Sequence, residues 1–140
     1  MGSINISRWL LGGIVAGITM WLLEGFGSML YMAEMETAMQ AHGLSMEISP
    51  VAIALSIVVS LVVGLTIVFF YAAARNRFGP GPRTAALVTF ALFVGGYLVS
   101  LLGYFMIGLF PSSLLVKWGV IGLVEMIVAG LLGGWVYRES

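Results

Sequence analysis

The chain has 140 residues, of which 61% are hydrophobic and 9% charged, and its six Lys and Arg balance six Asp and Glu. Soluble domains carry about 25% charged residues, so this composition excludes an ordinary water-soluble fold, and a mean hydropathy of +1.10 points to a membrane chain. Zero net charge argues against a nucleic-acid partner, which is recognised through a basic surface, and a chain without cysteine has no disulfides and no thiol-based metal or redox site.

A membrane span needs about 20 apolar residues at about 1.5 Å rise each. The first candidate runs from Trp9 to Met32, with Thr19, Glu24 and Ser28 as its polar interruptions. Arg8 before an apolar run resembles the start of a signal peptide, but no small-x-small cleavage pattern follows at the usual distance. The segment therefore reads as a retained span.

Ala33 to Ser49 is the only connection long enough for structure of its own. Gly43 suits a helix stop, and Ser49-Pro50 reads as an N-cap followed by proline at the first helical position. The second span covers Val51 to Ala74. Arg75 to Thr84, R-N-R-F-G-P-G-P-R-T, then divides the chain with two Gly-Pro steps. The third and fourth spans, Thr84 to Phe110 and Leu114 to Tyr137, are separated by the tight turn Pro111-Ser112-Ser113. These elements predict one all-α domain: an integral membrane up-down four-helix bundle with a short extracytoplasmic amphipathic helix between spans one and two.

Arg8, Arg75, Arg77, Arg83 and Arg138 fall on one side of that arrangement and Lys117 on the other. Positive charges gather in cytoplasmic loops, so both termini are expected in the cytoplasm. The cluster Arg75, Arg77 and Arg83 sets topology, or docks anionic headgroups or an acidic partner. A weak internal repeat aligns Gly12-Gly13 with Gly95-Gly96, which would relate two hairpins by an axis along the membrane normal.

Ionisable residues inside spans are costly and are functional candidates by default. There are two, Glu24 and Glu125, and neither has an Arg or Lys partner within its own span. At about 100° per residue, Gly13, Gly17, Met20, Glu24, Ser28 and Tyr31 share one stripe. Trp118, Gly122, Glu125 and Ala129 share another. Counted from the cytoplasmic ends, Glu24, Ser60, Tyr97 and Ser100 lie roughly 20 to 24 Å deep, and Glu125 about 5 Å nearer the cytoplasm. These residues and Tyr104 are expected to converge. Two carboxylates that meet in low dielectric cannot both ionise, so at least one should carry a proton. The pair then serves as hydrogen-bonded glue between helices or as a proton, ion or ligand site.

Methionines cluster after the first span. If the helix runs on to His42, then Met35, Met39 and His42 fall on one face at i, i+4 and i+7, a soft ligand set suited to Cu(I). A methionine-rich amphipathic segment on the outer leaflet or under a partner explains the same pattern, and no metal is expected. No cofactor is expected either, because the one histidine lies outside the spans and haem needs an axial ligand. The sequence has no nucleotide-binding, hydrolase-triad or zinc-protease motif. Gly13, Gly17, Gly122, Gly130 and Gly134 mark close helix packing, with one stripe turned to a partner if the chain oligomerises.

The combination of G-G-I-V-A-G in the first span, T-A-M-Q-A-H-G-L after it, R-F-G-P-G-P-R-T-A in the central loop, and W-G-V-I-G-L-V-E-M with a final G-G-W-V-Y-R-E resembles a group of small four-span bacterial membrane proteins of unassigned function. The resemblance covers most of the chain and implies a bacterial inner-membrane location without a biochemical role. The expected function is non-enzymatic: a small accessory or structural subunit among membrane lipids, packed with itself as a homo-oligomer or into a larger membrane complex. The alternative is a small proton-coupled carrier or ligand-binding bundle that uses Glu24 and Glu125.

Overall fold

The computed structural model describes residues Ser3 to Tyr137, and its regular elements are all helical. They are α1 (Ile6–Ser28), α2 (Met32–Ala41), α3 (Pro50–Phe78), α4 (Pro82–Leu92), a π-helical turn (Phe93–Leu98), α5 (Val99–Ile107) and α6 (Ser112–Val136). Four stretches are long and apolar enough to cross a membrane: α1, α3, the continuous run Pro82–Ile107, and α6. At about 1.5 Å per residue each exceeds the ~30 Å hydrocarbon layer. Their outer faces carry exposed Leu, Ile, Val and Phe throughout, the signature of helices solvated by lipid. The chain is a multi-pass membrane protein.

Local chemistry sets the boundaries. The Asn5 side chain accepts from Arg8 N–H at the start of α1. The Ser49 hydroxyl accepts from Ala52 N–H at 3.1 Å, with Pro50 in the first turn of α3. α3 ends at Gly79, whose φ of +83° would strain other residues, and Gly81 follows at +130° before Pro82 restarts the chain as α4.

The first span is shorter than the apolar run suggests. α1 stops at Ser28, and the N–H groups of Met29, Leu30 and Tyr31 bond back to Phe26, Gly27 and Ser28 in a tight turn. Gly25 and Gly27 weaken the last helical turn there. The continuous helix to His42 therefore does not form: Met35 and Met39 sit on the separate α2, and His42 lies just past its end.

Glycine permits the closest contacts. A Cβ at Gly64 of α3 would run into the backbone of Gly13 and Gly17 on α1. One at Gly17 would lie 2.7 Å from Leu61 Cα, and one at Gly12 would lie 2.8 Å from Gly133 O on α6. The order of these pairs, with Gly27 meeting Ile121 of α6, shows α1 running antiparallel to both α3 and α6. Along α6, Gly134, Gly130, Gly122 and Gly119 meet Ala85, Thr89, Tyr97 and Leu101 in turn, so the third apolar run also packs antiparallel to α6.

The two ends of the bundle differ. At one end Asn5 N–H donates to the Tyr137 hydroxyl at 3.1 Å, and Arg75 donates to Tyr137 O at 3.2 Å with its guanidinium over the Tyr137 ring. The Tyr71 ring meets Tyr137 edge-on, and its hydroxyl accepts from Gly81 N–H. Arg8, Arg77 and Arg83 share this latched end by their positions in α1, α3 and α4, whereas Arg138 lies outside the described residues. At the opposite end Lys117 pairs with Glu34 at 2.5 Å, the Ser113 hydroxyl donates to Glu34, and α2 is thereby tied to the start of α6. The adjoining halves of α3 and α5 are exposed, Val51 at 67% and Met106 at 83%.

Two predictions follow from this packing. Gly64→Ala should lower stability by roughly 1–3 kcal/mol through backbone overlap, while Gly103→Ala, with open space around it, should not. Thermal unfolding in detergent compares them, and equal midpoints would refute the glycine contact. The hydrogen bonds from Lys117 and Ser113 hold the Glu34 carboxyl below its ordinary range. A depressed carboxylate stabilises above its unfolded pKa and loses that contribution as pH falls through the folded value. The distance between spin labels at Thr37→Cys and Val116→Cys should stay sharp at neutral pH and broaden only in acid. Lys117→Met should broaden it already at neutral pH.

Candidate functional site

The two intramembrane carboxyls meet at the interface of α1 and α6. Glu24 lies one turn before the end of α1, and the turn that closes this helix brings Tyr31 back so that its hydroxyl donates to Glu24 Oε1. Glu125 is 5% exposed and faces α1. Its Oε1 occupies space that Gly27 leaves open, since a Cβ there would stand 3.0 Å away. The Glu125 carboxyl lies beside that of Glu24, and its Oε1 is fully buried without a protein donor.

Tyr97 completes this group from the π-helical turn. Its ring stacks on Phe93 with centroids 5.5 Å apart and lies over Gly122, where any side chain on α6 would collide with it. Its phenol sits near both carboxyls. Trp118 follows one α6 stripe toward the open end, with edge-on contacts to Tyr31 at 5.7 Å, Tyr104 at 6.3 Å and Phe110 at 4.9 Å. Its Nε1 is buried and has no acceptor.

Two spaces adjoin the group. A cleft of about 580 Å³ lies between α3 and the π-turn with α5, reached by Ser60, Tyr97, Ser100, Tyr104 and Trp118. A groove of about 600 Å³ lies between α1, α2 and the start of α3, with Glu24, Tyr31, Met35 and Ser60 on its walls. Ser60 separates the two.

The sequence places six polar residues together, and the structure divides them. Glu24, Glu125 and Tyr97 form one cluster. Ser100 and Tyr104 are exposed and line the cleft, which Tyr97 also borders. The Ser100 hydroxyl bonds to Gly96 O at 3.0 Å in its own helix, as serine inside a helix often does. Tyr31 and Trp118 belong to the site although neither is among those six. Their signal is the stripe: Tyr31 is seven residues after Glu24 and Trp118 seven before Glu125.

The remaining candidates fall elsewhere. Gly13 and Gly17 pack against α3, and Gly130 and Gly134 against Thr89 and Ala85, so both glycine stripes are used inside the bundle. Gly95 and Gly96 have open space around them, unlike tightly packed Gly12 and Gly13. The aligned pairs thus do different structural work. Arg75 is engaged with Tyr137, while Arg77 and Arg83 are exposed. Met35 faces the groove with Glu24, whereas His42 borders a different one beside Glu34. Hence Met35, Met39 and His42 do not close on a common point, and among the described residues no three His, Asp or Glu side chains form a metal-sized group.

No protein-family model matches the chain, and no curated protein or solved structure is significantly similar to it.

Proposed function

We propose that this is a non-enzymatic membrane protein in which Glu24 and Glu125 hold one proton between them, making it a proton-linked ligand-binding bundle. The observation that carries this reading is Glu125 Oε1, a buried carboxyl oxygen without a protein donor beside a second carboxyl. Two negative charges side by side in low dielectric repel strongly, and one shared proton relieves both the repulsion and the missing donor.

The same arrangement is poor glue. A hydrogen bond between spans contributes about 0.6–2 kcal/mol, while an unsatisfied buried acceptor costs about 1–3 kcal/mol. A packing device would leave no oxygen open. The accessory-subunit expectation leans on a glycine stripe facing outward, and both stripes are occupied within the chain. Arg8, Arg75, Arg77 and Arg83 support a cytoplasmic latched end, with α2 and its acidic residues outside, in the bacterial inner membrane implied by the sequence resemblance.

Infrared spectroscopy of the protein in lipid nanodiscs tests the shared proton. A protonated-carboxyl signal is expected at neutral pH, lost reversibly on alkalinisation and absent from Glu125→Gln, with thermal stability kept in Glu24→Gln and Glu125→Gln. A wild-type spectrum without a titrating carboxyl, together with a stability loss in Glu125→Leu but not in Glu125→Gln, would reduce the pair to packing.

A further inference from the structure

We propose that the cleft between α3 and α5 binds a neutral, membrane-dissolved amphiphile bearing a carbonyl-type hydrogen-bond acceptor, with the Trp118 Nε1–H as its anchor. The inference begins with the π-helical turn. Such turns in membrane and soluble helices commonly mark functional positions, and this one comes where the third apolar run leaves α3 and continues along α6, with Leu101 near Gly119. The resulting space of about 580 Å³ falls in the usual range for small-ligand pockets.

The lining defines the ligand's chemistry. None of the side chains that line the cleft is formally charged, and the walls are mainly aliphatic and thioether groups such as Val63, Ile67 and Met126. A charged ligand would find no counter-ion there, so the occupant is neutral. Indole Nε1 is a donor only, and a buried donor without an acceptor is an exception that calls for a partner. The hydroxyl of Ser100 is already committed to Gly96 O. Nε1 is closed to solvent, so the indole, whose ring borders the cleft, must turn for a carbonyl or ester oxygen at the end of a hydrocarbon chain to reach it, and the chain then lies along the aliphatic wall. Access is from the side, through lipid, because Val59 is 60% and Tyr104 40% exposed at the rim.

This site meets the carboxyl pair at one residue. Tyr97 lines the cleft, and its phenol lies near Glu24 and Glu125. The titratable groups around it are Glu24 from α1, Tyr31 from the turn after α1 and Glu125 from α6, while α3 presents the hydroxyl of Ser60. A ligand that displaces the Tyr97 ring alters what the shared proton can bond to. Tyr97 is therefore a positioning residue, and this coupling rests on the proton-sharing reading above.

Photolabelling of the protein in nanodiscs separates the claims. The probes are a long-chain 2-ketone and a hydrocarbon of equal length, each carrying the same diazirine. The ketone should label residues 59–66 and 96–104 about tenfold more than the hydrocarbon, with an extent that changes with pH. Trp118→Phe should reduce the ketone to the hydrocarbon's level. Ser60→Phe, which fills the cleft from the opposite wall, should do the same if Trp118→Phe fails to fold. Tyr97→Phe and Glu125→Gln should retain ketone preference and lose its pH dependence. Equal labelling by both probes would overturn the site and leave the cleft to bulk acyl chains. Ketone preference that is independent of pH in the wild type would uphold the site and overturn its coupling to the carboxyls.

Discussion

Helices α1, α3 and α6 touch backbone to backbone, and the rest of the molecule depends on that approach. Gly64 fits between Gly13 and Gly17, and Gly12 against Gly133, at separations that a single methyl group would prevent. In lipid there is no hydrophobic force between spans, so close van der Waals contact over small residues supplies much of the association. The contact also fixes the rotation of α1 about its axis. With Gly12 turned to α6 and Gly13 and Gly17 to α3, Gly27 further along faces α6, Glu24 lies on the side of α3, and Glu125 is brought beside them.

The carboxyl pair is thus a consequence of packing that packing itself does not satisfy. Tyr31 supplies one hydrogen bond to Glu24, and Gly27 supplies room for Glu125 Oε1, but room is not a donor. Polar groups inside a low-dielectric bundle interact strongly with whatever lies near them. A proton moving on or off this pair changes the balance felt by Tyr31 and Tyr97 at once. That gives the proposed link between protonation and occupancy of the adjoining space its physical basis.

The bundle is asymmetric along its length. Its latched end joins the start of α1, the end of α6 and the central loop through Tyr71, Arg75 and Tyr137, and Thr84 bonds to Gly79 O at 2.7 Å within the loop. At the other end α2 and the Glu34–Lys117 pair form a lighter tie, and α3 and α5 stand apart. Contacts at the open end are the less costly to rearrange, and ligand-responsive elements are drawn from regions of low local stability. The π-turn sits where the tight half gives way to the open one.

Composition and periodicity alone determined that this is a four-span helical membrane chain, because length and hydropathy of a span are set by the bilayer and by the 1.5 Å rise. Ser49-Pro50, Gly43, Gly79 and Gly81 marked their turns for local reasons of capping and positive φ. The glutamates stood out because a carboxyl among apolar residues is expensive wherever its helix packs. Depth and face already point to a convergence of the glutamates with Tyr97, but the choice of Tyr31 and Trp118 as companions was decided only in three dimensions. A stripe assigns a face to a helix but not the neighbour it faces, and a regular 3.6-residue period cannot anticipate a π-turn over Phe93–Leu98. Whether a glycine stripe looks inward or outward is likewise a property of the assembled bundle, since each helix sees only its own surface.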